Sequence, residues 1–334
     1  MNAFNRRHFL QHTAALAATA AAGRSAWAAD AFPTKPLVLM VPYPAGGASD
    51  VAARIYSEFI ARSLQQQVVV ENLGGGTGLI AANKVLAAPA DGYMFFHGSA
   101  NEIFLAPMLN PSARYKPADF TLAAPLTEAP IVLMVKSNLP VNSYDEFVEY
   151  ARTRKDKPLG YGTVGIDSMY HLIGDALAAQ LKFPFLHVPY KGGAPALQDL
   201  AGGQVDCAIL PYQTSFDAMA KQGRLKILTS FSKVLPEPLK HIPLISQSKI
   251  SPDFEHTIGS GHFVKKGTPP ERVAVLRGAI TQALRDPAIR ARLEQEGKYI
   301  PQPVINQQQS DQRFAETYQR IRGLVESVGR KPLA

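Results

Sequence analysis

A glycine-rich turn at residues 42–50 carries the clearest chemical signal in this chain. It reads Pro-Tyr-Pro-Ala-Gly-Gly-Ala-Ser-Asp, follows the apolar run 37–41 and precedes a segment with helical periodicity. A strand, a glycine turn and a helix start leave several backbone N–H groups unpaired beside the positive end of the helix dipole. The pattern therefore predicts an anion site. The turn has no lysine and no nucleophile beside a base, which favours holding an anion over transforming it.

A second turn of the same kind spans residues 160–168 and reads Gly-Tyr-Gly-Thr-Val-Gly-Ile-Asp-Ser. Two such turns could grip the two ends of a small carboxylate, because hydrogen bonds to a charged group are about twice as strong as neutral ones. In the alternative interpretation, each turn is an ordinary connection that ends in a helix cap. Asp50 and Asp167 would repel a bound anion, so we expect them to fix the loops by accepting backbone N–H bonds.

A third loop, 76–81, matches the loose G-x-G-x-x-A form between a strand and a helix. A dinucleotide site is disfavoured, because the loop before it is long and an exported protein rarely meets free NAD. We expect instead a third donor loop of the same cleft, which contains Thr77, and we expect Ser99 to line that cleft as well. Tyr190 either walls the cleft or belongs to the core, and Lys191 either lies near the ligand or is solvated.

Patterns for catalysis and metal binding are missing from the sequence. It contains no G-x-S-x-G elbow, no phosphate-binding G-x-x-x-x-G-K-[ST] loop and no H-E-x-x-H, and the histidines after residue 28 are scattered. We therefore predict no catalytic residue, no metal and no cofactor. An exported hydrolase or lyase that uses Ser49 or Ser168 with His171 is the disfavoured alternative. The single cysteine, Cys207, excludes an intramolecular disulfide and is expected to be buried.

The first 28 residues are typical of an export signal. Two adjacent arginines precede an alanine-rich run that is too short to span a bilayer, and residues 26–28 fit the A-x-A cleavage pattern. We predict a twin-arginine-type leader, cleavage near Ala28-Ala29 and a periplasmic protein; a cytosolic disordered tail is the alternative. Without the leader, 32 basic residues stand against 27 acidic ones, a charge of +5. The basic residues are dispersed, which disfavours nucleic acid as a partner.

Short apolar runs alternate with helical periodicity along most of the chain, which predicts an α/β fold with mainly parallel sheets flanked by helices. The predicted strands are 37–41, 68–71, 93–97, 131–135, 159–162, 185–189, 205–210 and 225–229. The predicted helices between them are 50–64, 78–88, 144–154, 168–181, 194–202 and 212–222. The stretch 233–256 is predicted to be a crossing loop, and the chain after it to be helical, with a last helix at 307–328 whose apolar stripe needs a surface.

These patterns predict two lobes with a ligand cleft between them. We expect residues 29–130 to form the first part of lobe 1, 131–250 to form lobe 2, and 251–334 to return to lobe 1 with the C-terminal helices. The return is expected because the first sheet has few helices of its own to cover both faces.

Several motifs, taken in this order, resemble one known family. They are the segments 41–50, 70–78, 90–93, 162–165, 171–172, 188–197, 202–206 and 266–269. The chain resembles the periplasmic solute-binding proteins of tripartite tricarboxylate transporters, also called the Bug family. It departs from the family pattern at 241–247 and at 258–262, where an aromatic residue is usual, and both departures bear on the cleft wall.

The resemblance implies a type II periplasmic-binding fold that closes by hinge motion on a small mono-, di- or tricarboxylate. It implies a monomer that delivers its ligand to the permease subunits of a tripartite transporter, or docks on a sensor protein. By position, it implies that the carboxylate is held by residues of the two glycine-rich turns, namely Tyr43, Ala45, Gly46, Ser49, Thr163, Gly165 and Ser168.

Overall fold

A computed structural model describes residues 32–333, so the predicted export segment 1–28 lies outside the described residues. The strands are β1 (Leu37–Val41), β2 (Val68–Asn72), β3 (Met94–Ser99), β4 (Phe120–Lys136), β5 (Leu159–Thr163), β6 (Phe185–Pro189), β7 (Cys207–Pro211), β8 (Leu225–Ser230) and β9 (Thr257–Lys265). The helices are α1 (Ala48–Leu64), α2 (Leu79–Ala87), α3 (Ala106–Leu109), α4 (Tyr144–Arg152), α5 (Met169–Leu181), α6 (Gly193–Ala201), α7 (Ser215–Lys221), α8 (Pro270–Arg285), α9 (Pro287–Gln295) and α10 (Gln307–Ser327). A π-helical turn, Asn101–Leu105, leads into α3.

The strands form two mainly parallel sheets that share β4. In the first sheet β2, β1 and β3 are parallel, and β9 runs antiparallel between β3 and β4. In the second sheet β6, β5 and β7 are parallel, and β4 runs antiparallel to β7 and to β8. Helices flank both sheets. The predicted fold class, two α/β lobes with a cleft between them, is confirmed.

Strand β4 crosses from one lobe to the other and changes partners at one point. It pairs with β9 as far as Pro130 and with β7 from Ile131 onward. The sequence predicted only residues 131–135 of this strand, because prolines and Glu128 interrupt the apolar pattern of its first half. The pairing register shifts between Leu122 and Ala124 and again between Pro125 and Glu128, so the strand bends where it carries these residues.

The prediction that the chain is helical after residue 256 is wrong at its start, because β9 occupies residues 257–265. This strand was not predicted because it contains glycines and a serine, which have a low β-propensity. These small residues are needed because β9 lies between β3 and β4 with little space for side chains: a Cβ on Gly261 would lie 2.7 Å from Leu122 Cδ1. A central strand that touches neighbours on both sides needs small residues where those neighbours approach.

Several helix details also differ from expectation. The spacing of Val51, Ile55 and Phe59 predicts the buried face of α1. Ile55 is buried, but the face centres on Ala52, Tyr56 and Ile60, and Val51 and Phe59 are half-buried. The sequence Thr268-Pro269-Pro270-Glu271 predicts a helix capped by Thr268. Helix α8 begins one residue later, so its cap is Pro269, and the Thr268 hydroxyl donates to the Lys265 carbonyl. The sequence also predicts helix starts at Ser143, with Glu146 three residues on, and at Asp286-Pro287. Both are confirmed, since Ser143 Oγ accepts from the Glu146 N–H and Asp286 Oδ1 accepts from two N–H groups of α9.

The C-terminal helix α10 packs its apolar stripe on the rest of the protein. The ring of Phe314 lies 4.9 Å from that of Phe104 and 6.4 Å from that of Phe263 in β9. Ile321 and Val325 are buried further along the same stripe. After the helix, the Leu333 N–H donates to the Met108 carbonyl. The helix thus covers a surface that the first sheet and its neighbours leave apolar.

Gly174→Ala should destabilise the second lobe. A Cβ at this position in α5 would lie 2.6 Å from Cζ of the fully buried Tyr161, whose hydroxyl is held by Asp175, so the ring has little freedom to move. We expect the free energy of unfolding to fall by about 1–3 kcal/mol. Gly278→Ala, in an exposed turn of α8 with open space around its Cα, is the matched control and should raise it by about 0.5–1 kcal/mol. Urea unfolding measures both, and equal stability of the two variants would contradict the packing argument.

Candidate functional site

A cavity of about 60 Å³ lies between the two lobes. Its wall is formed by the β1–α1 turn, the end of β3, the middle of β4 and β9, and four separate segments of the second lobe. Since a water molecule needs roughly 10–15 Å³ of such space, the cavity has room for several waters or one small molecule. The β9 wall consists of Ile258, Gly259 and Ser260, within the segment where the sequence departs from its family pattern.

Three of the predicted ligand contacts line this cavity: Tyr43, Ser49 and Ser99. The remaining predicted contacts do not line it; they are Ala45, Gly46, Thr77, Thr163, Gly165, Ser168 and Tyr190. Gly47 and Ala48 line the cavity from the first turn, Val164 from the second and Gly193 from the loop after Tyr190, whereas no residue of the Thr77 loop lines it. Which residue of a loop faces the cavity depends on backbone torsions that the sequence does not reveal.

The first turn is held by a network centred on Asp50. Its carboxylate accepts bonds from the Gly46 N–H at 2.9 Å and from Asn72 Nδ2 at 3.0 Å, and it pairs with the Arg54 guanidinium. Gly46 has φ +81°, a conformation that glycine adopts freely and that a side chain would strain. Burial raises the pKa of Asp50, but the bonds from Arg54, Gly46 and Asn72 bring it below its ordinary value. The carboxylate is therefore ionised and directed into the turn.

Tyr43 and Ser99 share one buried acceptor, the Glu102 carboxylate. The Tyr43 hydroxyl donates to Oε1 at 2.5 Å, and both the N–H and the hydroxyl of Ser99 donate to Oε2, at 2.6 and 2.8 Å. Burial raises the pKa of Glu102, and burial also keeps the Tyr43 phenol neutral by raising its pKa well above the ordinary value. Because both hydroxyl protons point at Glu102, Tyr43 and Ser99 offer the cavity oxygen lone pairs rather than donors.

The hydroxyls of the second turn are occupied by the turn itself. Thr163 Oγ1 lies 2.7 Å from His187 Nε2 and hydrogen-bonds within the turn, while Ser168 Oγ donates to the Gly165 carbonyl and caps α5. Both residues are fully buried. Gly165, at φ +146°, lies against the Thr77 hydroxyl. The prediction that Thr163 and Ser168 present hydroxyls to the ligand therefore lacks geometric support, because their protons and lone pairs are used locally.

Asp167, His171 and Tyr190 also lie outside the cavity wall. Asp167 forms an ion pair with Arg330, and the same guanidinium reaches Asp175 at 3.1 Å. The Asp167 N–H donates to His171 Nδ1, and burial lowers the pKa of that imidazole. The Tyr190 hydroxyl donates to Asp199 at 2.7 Å. Since Ser168 donates to a carbonyl rather than to His171, no serine–histidine pair of a hydrolase forms here.

The two lobes touch at the rim of the cavity. The Thr77 hydroxyl donates to the Ile166 carbonyl at 2.6 Å, and the Met169 N–H donates to Asn101 Oδ1 at 2.8 Å. Gly192 lies so close to Pro44 that a Cβ would be 2.7 Å from its Cδ, which brings the Tyr190–Gly193 loop against the first turn. These contacts join the lobes around the enclosed space.

Lys298 lines the cavity, although no motif in the sequence indicated it. Its side chain is 3% exposed, and within residues 32–333 its Nζ has one hydrogen-bond partner, the Tyr212 carbonyl at 3.2 Å. Burial lowers the pKa of Lys298 to about 8, against a smaller opposing effect of Glu296. The backbone of Tyr299 pairs in both directions with Glu128 of β4, which fixes the lysine in place. A lone lysine between two helices carries no local pattern that predicts this position.

His97 also lines the cavity but is neutral. Burial lowers its pKa to about 4, and the nearby Lys298 ammonium lowers it as well. His97 Nδ1 lies 3.3 Å from Nε2 of His262, whose pKa burial also lowers. Lys298 is therefore the one cationic side chain in the cavity wall formed by the described residues. Gln213, whose Nε2 donates one bond to Ser215, adds a further amide.

Two sheet-and-helix lobes that share a crossing strand and line one cavity between them define a two-lobed solute-binding protein. Residues 52–330 match the family described as the tripartite tricarboxylate transporter family receptor, and the chain belongs to that family. It is therefore a receptor rather than an enzyme. A protein from the tcbD–tcbE intergenic region of Pseudomonas sp. strain P51 is 34% identical over 80% of this chain and 79% of its own length. BugT of Bordetella pertussis is 28% identical over 91% and 92%.

Solved structures show the same architecture. The periplasmic binding protein BugD has a TM-score of 0.82 and 29% identity, covering 90% of this chain and 99% of its own. The Rhodopseudomonas palustris protein Rpa4515, solved with adipate, has a TM-score of 0.84 and 28% identity over 90% and 100%. MatC from the same species, with bound malate, has a TM-score of 0.76 and 28% identity over 86% and 99%.

The described residues form neither a metal-ligand cluster nor a membrane-spanning helix. Within 32–333, no three histidine, cysteine or acidic residues cluster as metal ligands would. In the same range, no helix has the length and apolar composition needed to cross a membrane. Cys207 is a free, buried thiol, as predicted.

Lys298→Met should stabilise the protein at neutral pH. A lysine pKa of about 8 in the fold, against an ordinary 10.5, means that the unfolded chain binds more protons between these values. Stability therefore rises with pH from about 8 to about 10.5, and below pH 8 the ammonium costs on the order of 3 kcal/mol. We expect the variant to gain about 1–3 kcal/mol at pH 7 and nothing at pH 10.5, by urea unfolding.

Lys155→Met is the matched control, because it removes the same charge from an exposed loop of the second lobe. Its effect should stay within about 0.5 kcal/mol at either pH. A loss of stability in Lys298→Met at pH 7 would show that the Tyr212 carbonyl and the cavity compensate the buried ammonium fully.

Proposed function

We propose that this protein is a periplasmic receptor that captures a small carboxylate in the cavity between its lobes. One observation carries the proposal: both lobes line the cavity, and the buried Lys298 and the start of α1 are both part of its wall. The first N–H groups of a helix have no acceptor within the helix, and Ser49 adds a hydroxyl with no partner among residues 32–333. Family membership and the ligands of the solved relatives, adipate and malate, support the same chemistry.

Capture is proposed to occur by hinge closure. The first turn is held by contacts within the first lobe. Lys298 is held by the pairing of Tyr299 with β4 and by the Tyr212 carbonyl of the second lobe, and Val164 and Gly193 also approach from the second lobe. Closing the lobes would bury a ligand and form the rim contacts of Thr77 and Asn101. Since those contacts form only on closure, they would contribute to affinity without touching the ligand.

Delivery is proposed to follow the family pattern. The closed protein would dock as a monomer on the permease subunits of a tripartite tricarboxylate transporter, or on a sensor protein. The predicted lobe boundaries, 29–130, 131–250 and 251–334, are retained, supported by the change of β4 partners at residue 130. Export through the leader at residues 1–28, cleaved near Ala28-Ala29, and the loop-fixing roles of Asp50 and Asp167 belong to the same proposal.

Small carboxylates should raise the melting temperature of the purified protein. A ligand at 100 times its Kd adds about 2.7 kcal/mol to the free energy of unfolding. Gly193→Leu should abolish this shift, because Gly193 lines the cavity and a Cβ there has no atom within 4 Å, so the side chain can start into the cavity without displacing the backbone. Differential scanning fluorimetry with a broad panel of carboxylates, run on wild type and variant, makes the measurement.

Gly278→Leu, at an exposed position of α8, is the matched control and should keep the wild-type shift. If wild type responds to no member of the panel, the proposed function is wrong. If Gly193→Leu still responds fully, the ligand binds elsewhere on the protein.

Thr77→Ala tests closure separately from ligand contact. Thr77 does not line the cavity, but its hydroxyl bonds the Ile166 carbonyl in the other lobe. Loss of one such bond should weaken ligand affinity about 3–10-fold, through faster dissociation, with the association rate nearly unchanged. Thr77→Ser keeps the hydroxyl and should behave as wild type. Stopped-flow kinetics with a ligand from the panel measures both rates, and equal dissociation rates in all three proteins would refute a role of this contact in closure.

A further inference from the structure

The position of Lys298 is set by the strand that joins the lobes. Lys298 follows α9, and its neighbour Tyr299 exchanges two backbone hydrogen bonds with Glu128 of β4, at 2.8 and 2.9 Å. The Nζ atom reaches the carbonyl of Tyr212, whose own N–H donates to the carbonyl of Pro130. The ammonium therefore sits beside residues 128–130, where β4 passes from one sheet to the other, on the floor of the cleft.

The start of α1 lies at a different part of the same wall. The imidazole of His97 is within electrostatic reach of both, since Lys298 lowers and Asp50 raises its pKa. Ala48 and Ser49 line the cavity from the β1–α1 turn, whereas Lys298 lines it from the segment after α9, where its Nζ reaches the Tyr212 carbonyl. The wall thus carries two separate features that attract an anion, the helix start with Ser49 and the Lys298 ammonium.

Three other hydroxyls in the cavity wall are not free to donate a hydrogen bond to an anion. Tyr43 and Ser99 direct their protons to Glu102, and Ser260 Oγ donates to the Thr127 carbonyl at 3.1 Å. A ligand with one carboxylate would satisfy one of the two features and leave the other without a counter-charge. A buried ammonium with a single hydrogen bond is costly unless an anion joins it.

We propose that Lys298 selects a dianionic ligand: a short dicarboxylate with one carboxylate at the start of α1 and the other on the Lys298 ammonium. The inference rests on the proposed function and adds the charge class of its ligand. The cavity volume of about 60 Å³ limits the ligand to a small molecule. Lys298 is then the residue that distinguishes a dicarboxylate from a monocarboxylate of the same length.

Matched acid pairs test this proposal. Succinate and butyrate, and adipate and hexanoate, differ in one carboxylate against one methyl group at equal chain length. Isothermal titration calorimetry at pH 7 on the wild-type protein should give at least tenfold tighter binding of the dicarboxylate in the pair that fits. A hydrogen-bonded charge pair contributes enough for such a factor.

Lys298→Met should remove the preference. Its affinity for the dicarboxylate should fall at least tenfold, while its affinity for the monocarboxylate should change less than threefold. Lys298→Gln keeps an amide donor near Tyr212 without the charge, so it should lose the preference too and covers the case in which the methionine variant folds poorly. Lys155→Met, the exposed control, should keep the wild-type ratio.

The preference should also depend on pH. It should shrink between pH 7 and pH 10 in wild type as the Lys298 ammonium loses its proton, and should be flat in Lys298→Met. The other titratable or charged groups around the cavity are Glu296 on the same segment, His97 on β3, Tyr43 and Asp50 around the first turn, Glu102 behind it and Tyr170 on α5. The pKa of His97 lies near 4, and burial raises the pKa values of Tyr43 and Tyr170 well above 10, so these three groups do not titrate in this range.

The possible results separate this proposal from the one on which it rests. Wild-type protein that binds both members of a pair equally, or variants that keep the preference, would overturn the role of Lys298 while leaving carboxylate capture intact. Wild-type protein that binds none of the four acids and no acid of the broader panel would overturn both. A preference lost in both Lys298 variants and kept in Lys155→Met supports the proposal.

Discussion

The backbone pairing of β4 is the constraint on which the rest of this structure depends. One strand serves two sheets, so the two lobes share a fixed line at residues 128–131. Tyr212 from the second lobe and Tyr299 from the return segment both bond to this line. Lys298 lies beside this line, whereas the two glycine-rich turns lie at the ends of β1 and β5.

The cavity shows how burial decides what a polar residue can do. Tyr43 and Ser99 have hydroxyls that could donate to an anion, yet both hydroxyls donate their hydrogen bonds to the buried Glu102 carboxylate. Asp50 would repel an anion, yet its carboxylate is directed into the loop, where it accepts hydrogen bonds from the Gly46 N–H and Asn72. The charge that remains for a ligand is on Lys298, which lies far from either turn in the sequence. Chemical type identifies candidates, and the hydrogen-bond partner of each one determines which of them is available.

Much of the fold could be predicted because its elements are local. The run 37–41, the helix after it and the caps at Ser143 and Asp286 follow from neighbouring residues alone. Strand β9 could not be predicted in this way, because Gly259, Ser260 and Gly261 are there to admit neighbours from distant parts of the chain. The same distinction between local and tertiary determinants applies to the site. The loops that surround the cavity follow from strand and helix boundaries, whereas the inward residue of each loop, and Lys298, depend on tertiary contacts.

The end of the chain has a practical meaning for anyone who handles this protein. Arg330 pairs with Asp167 and Asp175 in the second lobe, and the Leu333 N–H donates to the Met108 carbonyl of α3 in the first. The segment 330–333 is thus bonded to both lobes, which are proposed to move relative to each other. A purification tag, fluorescent protein or surface linker attached there would strain these contacts. Ligand binding measured on a receptor immobilised through this end would then include the effect of the attachment.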